Sequence, residues 1–277
     1  MRETLQMVLA QSLEERQAYI NEHPTLLQDM LAHIGDPNGE LRDQLNYRLF
    51  IELLSANQIP HEQLQNIALT LVQEDGLLYG LGEVNTDAVY TRSFAALWLT
   101  ALLHADRQLH ILSHDTIQAI TMSAVKLLQR ELDLRSFVSE AHGWAHSIAH
   151  VSDLAVALIQ HPDFSMHSAP QLLQGIKAAF WKGYVFVDDE EERFTKIVEA
   201  IMLKGFEEDV LVEWVEQVFD RLEMSAYERG YTPEWFKART NILHFMKNLY
   251  FTLKFSNHYD KLRGVTSIFI QRWLKLS

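Results

Sequence analysis

The sequence predicts an all-α protein whose helices pair antiparallel and stack as a HEAT- or armadillo-like α-α superhelix, one elongated domain over residues 1–277. Three observations carry this. Apolar residues recur at spacings of three and four along almost the whole chain, and no stretch sustains the alternation of a half-buried strand. The 6 prolines and 11 glycines fall mostly between the periodic segments, where turns belong. The segments number about a dozen, and short connections set neighbouring helices antiparallel. About six pairs of roughly 40 to 47 residues match the period of HEAT and armadillo repeats.

Taken in order, the first helix is expected from about Glu3 to Asn21. Pro24 suits the first turn of a short second helix that ends near Gly35. Asp36-Pro37-Asn38-Gly39 is a turn, with Asp36 as a candidate cap. The helix from Glu40 to Ala56 then carries Leu41, Leu45, Leu49 and Leu53 toward a core, and Pro60 opens the next. Gly76 to Asn85, with three glycines, is the longest clear loop. It lacks the Lys-Ser/Thr of a phosphate loop and reads as a linker between helix pairs. Thr86-Asp87 opens a long apolar helix, and His114-Asp115 opens one that runs to about Leu132. After two turns at Pro162 and Pro170 come helices over about 171–182, 190–203 and 207–228. The acids Asp188 to Glu192 suit the positive end of a helix dipole better than a cation site. Two aromatic-rich helices, about 233–254 and 257–276, close the chain.

Composition narrows the function classes. An apolar fraction of 48% with 22% charged residues is that of a globular chain. Cysteine is absent, which excludes disulfides, thiolate metal sites and cysteine nucleophiles and fits a reducing intracellular compartment. The amino terminus does not read as a secretory signal. The most apolar run, Phe94 to Leu103, falls far short of the roughly 20 residues a bilayer span requires. A soluble, cytoplasmic protein is expected. The net charge of −13 argues against general nucleic-acid binding. From Thr232 onward, however, eight Lys or Arg face two acids, and this basic segment is expected to pack beside the acidic one from Asp188 to Glu228.

The densest chemistry lies between Asp133 and Asp153. His142, His146 and His150 recur every four positions, and on one helix His146, His150 and Asp153 would share a face. Two histidines at that spacing can hold a divalent metal. The sequence reads His146-Ser-Ile-Ala-His150, though, without the glutamate that serves as general base in HExxH enzymes. Asp153 lies about 10 Å along such a helix from His146, too far for one metal and better placed to orient His150 or to pair with a basic residue.

Three readings stay open: a hydrogen-bonded packing layer, a binding groove for a peptide or small molecule beside Trp144, and a metal or acid–base site. Arg92 opens a helix that is otherwise apolar, so its guanidinium would need a carboxylate, with Asp133 or Asp153 in reach. Asp133 and Arg135 could also form an ion pair within their own turn. One polar cluster of Arg92, Asp133, Arg135, His146, His150 and Asp153 is the working expectation.

Four blocks, Ile34 to Arg42, Tyr90 to Leu97, Asp133 to Val138 and Gly143 to Asp153, together resemble a bacterial domain-of-unknown-function family numbered twenty-seven eighty-five, frequent in Gram-positive bacteria. The chain departs from that pattern at Ser136, where glycine is expected, and at Ala141-His142, where Gly-Lys is expected. The resemblance implies an all-helical protein over the whole chain and brings no established activity.

The expected function is therefore binding of a protein or small ligand through a concave polar site formed by Arg92, Asp133, Arg135, Trp144, His146, His150 and Asp153. The alternative is a hydrolase-type enzyme using His146 and His150. The cofactor is unknown: a divalent metal on those two histidines is allowed but not favoured.

Overall fold

The computed structural model describes residues 1–256 and 258–274, and its described residues divide into two compact units, Met1–Phe164 and Ser165–Ser277. Among the described residues the chain is all-α apart from one small hairpin. The last expected helix, over about 257–276, begins and ends outside the described residues; its described part is noted below.

In the first unit, α1 (Arg2–Leu9) and α2 (Leu13–Glu22) replace the single helix expected from Glu3 to Asn21. The break is chemical. Ser12 accepts the Glu15 N–H at 3.3 Å while Glu15 accepts the Ser12 N–H at 2.9 Å, so a capping box starts a new helix inside an unbroken apolar rhythm. α3 spans Leu26–Ala32. A π-helical segment, Glu40–Tyr47, then runs directly into α4 (Arg48–Ser55), as one continuous rod over the range expected. α5 (His61–Leu71) follows Pro60.

The long α6 (Ala88–Leu109) is buried along nearly its whole length and packs on α8 (Ser147–Gln160), with α7 (His114–Arg130) against α8's other flank. Phe50 of α4 stacks on Trp98 of α6 at 3.8 Å. The far ends of α6 and α8 are pinned by buried Asp106. It accepts the Ile111 and Leu112 N–H groups and meets His161 Nε2 at 3.0 Å. His161 Nδ1 accepts the Asp163 N–H, so the proton of this imidazole sits on Nε2, facing the carboxylate.

Between α7 and α8 the structure corrects the sequence reading. No helix runs through His142 and His146. Strands β1 (Phe137–Ser139) and β2 (Gly143–Trp144) pair antiparallel, Phe137 opposite Trp144. Ser139 closes the turn by accepting the His142 N–H and contacting its Nδ1 at 2.8 Å. Gly143 takes φ +65°, which a side chain tolerates poorly. His146, at φ 52°, is a left-handed residue that ends the hairpin and launches α8. Such a conformation in a non-glycine residue is uncommon and is held here by surrounding contacts.

The second unit contains α9 (Ala169–Ala179), α10 (Glu190–Leu203), α11 (Glu208–Arg229), α12 (Pro233–Ser256) and α13 (Asp260–Leu274) around Phe180, Phe194, Trp214 and Phe245. The acids at 190–192 form the first turn of α10, as expected. The basic terminal segment does pack beside the acidic one: Lys261 meets Asp209 at 2.9 Å and Arg272 meets Glu223 at 2.8 Å. No helix among the described residues is long and apolar enough to cross a membrane.

Candidate functional site

The chemistry-bearing residues of the first unit fall into three layers. The deepest is an ion-pair network. Arg92 projects from the first turns of α6 and meets Glu131 in two parallel bonds, Nε to Oε2 at 2.7 Å and Nη2 to Oε1 at 2.9 Å, with neither side chain exposed. Its Nη1 donates to the carbonyls of Tyr79 and Gly80, which ties the glycine-rich loop to α6. Glu131 also accepts the Ser147 hydroxyl at the start of α8 and the N–H groups of Leu132 and Asp133.

Asp133, also fully buried, binds Arg135 through Nε at 2.8 Å and Nη2 at 2.7 Å and accepts the Asn85 N–H at 2.8 Å. Thus Arg92, Asp133 and Arg135 do lie in one network, but the carboxylate facing Arg92 is Glu131, which the sequence reading missed. The need for a buried acid was legible in the sequence; its identity was not, because the pair spans 39 positions.

The second layer holds the hairpin in place. Arg42, 1% exposed, donates to the carbonyls of Asp36, His142 and Trp144 at 2.6, 2.6 and 2.9 Å. Its guanidinium lies over the rings of Tyr90, 4.1 Å from the centroid, and Phe94, at 4.7 Å. Burial pulls its basicity down, with the nearby Tyr90 and Asp43 acting the other way. A Cβ at Gly39 would sit 2.8 Å from the His142 carbonyl oxygen, so the 36–42 turn approaches the hairpin as closely as only glycine permits. Arg42 was legible only as one letter of the Ile34 to Arg42 block. Its role depends on a contact 100 residues away.

The third layer is a line of aromatic rings. Phe137 and Trp144, 48% and 39% exposed, meet edge to face at 5.3 Å. Trp144 stacks on His146 at 4.9 Å, His146 meets His150 at 5.8 Å, His150 meets Phe94 at 5.7 Å, and Phe94 meets Tyr47 at 6.2 Å. His146 and His150 are therefore neighbours, as the sequence predicts, although only His150 is on the helix. Ser93 fixes the His150 ring. Its hydroxyl donates to the Ala145 carbonyl, and His150 Nδ1 lies 2.6 Å from the same oxygen. A hydroxyl has one proton, so with that proton on the Ala145 carbonyl the Nδ1–H of His150 is the donor to Ser93 Oγ. Ser93 is fully buried, which suits it to positioning His150 and not to attacking a substrate. His142 stands apart, stacked on Tyr90.

The ring line ends at a cleft of about 450 Å³ lined by Tyr47, Ile51, Leu54, Thr100, Ala101 and His104. Tyr47 is pushed up to about 12 by burial and then by the charges of Asp43 and Asp153. Burial raises the Asp43 carboxyl. Burial lowers His104, helped by Arg107 and opposed by Asp153. Asp153 thus acts on the Tyr47–His104 cleft, a neighbourhood the sequence reading did not assign to it. Among the described residues no three His, Asp or Glu side chains gather in a way that could hold a metal ion.

Over residues 77–251 the chain matches the family described as protein of unknown function (DUF2785), and it belongs to that family. The Ile34 to Arg42 block lies before the matched stretch, yet it grips the hairpin that lies within it. No curated protein and no solved structure matches the chain.

Proposed function

We propose that the first unit is a binding module for a small organic ligand, held in the Tyr47–His104 cleft, with the ring line from Trp144 packed behind it. The observation that carries this is the unbroken run of ring contacts from exposed Trp144 to Tyr47 at the cleft. A volume of about 450 Å³ suits a small molecule, as do mostly apolar walls with a few polar groups. Asp43 and Asp153 make the surroundings acidic, favouring neutral or cationic ligands over anions. In this reading Arg92, Asp133 and Arg135 hold the platform, Trp144, His146 and His150 support the cleft through their rings, and Asp153 sets its charge. Saturable binding that is lost in Ala101→Phe, which fills the cleft, tests it.

The hydrolase-type alternative has one specific support: the His150 ring is held by Ser93 through Nδ1 and lies 5.8 Å from the His146 ring. A metal on His146 and His150 would need further ligands from water or substrate. Stoichiometric metal in purified protein, lost with both histidines, would favour that alternative. Within each unit, helices two apart in the chain pack together, α6 with α8, α10 with α12 and α11 with α13. This supports HEAT- or armadillo-like stacking as part of the same proposal.

A further inference from the structure

The second unit has a cleft of its own, independent of the function proposed for the first. It measures about 430 Å³ and lies between α9 and α11. Lys177 and Trp181 line one side, with Gln217, Arg221 and Ser225 on the other. Its lining carries three cations, Lys177, Arg221 and Arg229, against two acids, Asp220 and Glu228. Lys177 Nζ spends one N–H on Gln217 Oε1 at 2.9 Å. The Arg221 guanidinium lies 4.8 Å from the centroid of the Trp181 ring and makes no hydrogen bond or ion pair among the described residues. The indole N–H of Trp181, buried, also lacks an acceptor.

The two cations are not neutralised locally. Lys177 has its basicity lowered by burial and then by the charge of Arg221, and Arg221 is lowered by burial alone. Asp220 and Glu228 line the same cleft, yet neither acts on either cation strongly enough to restore it. In a chain of net charge −13, Lys177 and Arg221 thus stand together beside an indole N–H that has no acceptor. Arg229, also on the lining, is explained without a ligand: it sits in the last turn of α11, where the helix dipole favours a cation.

We propose that this cleft binds the oxyanion of a small molecule, a phosphate monoester or a carboxylate, between Lys177 and Arg221. Arg221 supplies the planar fork that matches two oxygens, and Lys177 supplies a point charge. The volume exceeds that of the anion alone, so the rest of the ligand lies along Trp181 and Met224.

The experiment is a calorimetric titration of the full chain with phenyl phosphate and with benzoate, which share a ring and differ in the anion. One saturable site is expected, weakened by added salt. Binding should fall about tenfold or more in Arg221→Gln and in Lys177→Gln, as for loss of a charge-assisted bond. Lys261→Gln, on the same unit but paired with Asp209, should leave it unchanged. Preference for either probe names the anion and supports the proposal. Arg221 makes no hydrogen bond or ion pair among the described residues, so its variant keeps the test interpretable if Lys177→Gln fails to fold. Failure of both probes to bind, undiminished binding in a folded Arg221→Gln, or binding only to phosphatidic acid vesicles would overturn the small-molecule site.

Discussion

Arg92 and Glu131 meet as a two-pronged ion pair with no solvent contact on either side chain, at 2.7 and 2.9 Å. The pair joins the start of α6 to the end of α7, and Ser147 adds the start of α8 to the same carboxylate. Three helices and the glycine-rich loop therefore depend on one charge. Glu131→Gln leaves the guanidinium buried without its counter-charge, a change expected to cost about 3–5 kcal/mol. Urea denaturation measures it. Arg92→Lys should not restore stability, because an ammonium cannot reproduce the fork.

Ser93 sets the tautomer of His150. Ser93→Ala removes the oxygen to which Nδ1–H donates, with an expected stability loss of about 1–3 kcal/mol. Nitrogen-15 spectra of the imidazole should show protonated Nδ1 in the parent and a mixture of tautomers in the variant. A parent ring carrying its proton on Nε2 would refute the assignment.

Tyr47 gives a pH signature. Its hydroxyl is held up to about 12 in the fold, against 10.0 for the free group, by burial and then by Asp43 and Asp153. Below pH 10 both folded and unfolded chains keep the proton, and Tyr47 contributes no slope. Between pH 10 and 12 the unfolded chain releases it first and binds fewer protons, so stability falls as pH rises, by about 1.4 kcal/mol per unit. Tyr47→Phe should flatten that part of the stability curve. An identical alkaline slope in both proteins would contradict the placement of Tyr47.

Gly39 tests the grip of the 36–42 turn on the hairpin. Gly39→Ala places a Cβ 2.8 Å from a backbone oxygen, so turn and hairpin must separate, at about 1–3 kcal/mol. Amide exchange at residues 137–144 should accelerate more than exchange in α7. Trp144→Ala, on an exposed side chain, should change stability little.

Much of the fold was legible in the sequence because it rests on periodicity, and the helices from Glu40 to Ser55 and from α9 to α12 begin and end near their expected residues. The first break was not, because Ser12 and Glu15 override an apolar rhythm that continues across them. The hairpin was invisible for a different reason. Its strands are 3 and 2 residues long, too short to show a period, and it exists because Arg42 and Gly39 hold it from afar. Histidines at a spacing of four suggested one helix face; instead a left-handed His146 brings its ring to His150 from outside the helix. The adjacency was readable and its backbone was not. The partner of Arg92 and the cleft side of Asp153 both depend on packing between distant segments, which no local spacing encodes.

The most direct test of the binding-module reading is a ligand-observed NMR screen of small neutral and cationic compounds against the full chain, repeated on Ala101→Phe and Trp144→Ala. Ala101 lies on the cleft wall and Trp144 at the outer end of the ring line. The account predicts compounds whose binding is abolished by Ala101→Phe and weakened by Trp144→Ala while both variants stay folded. Binders indifferent to both substitutions would contradict it.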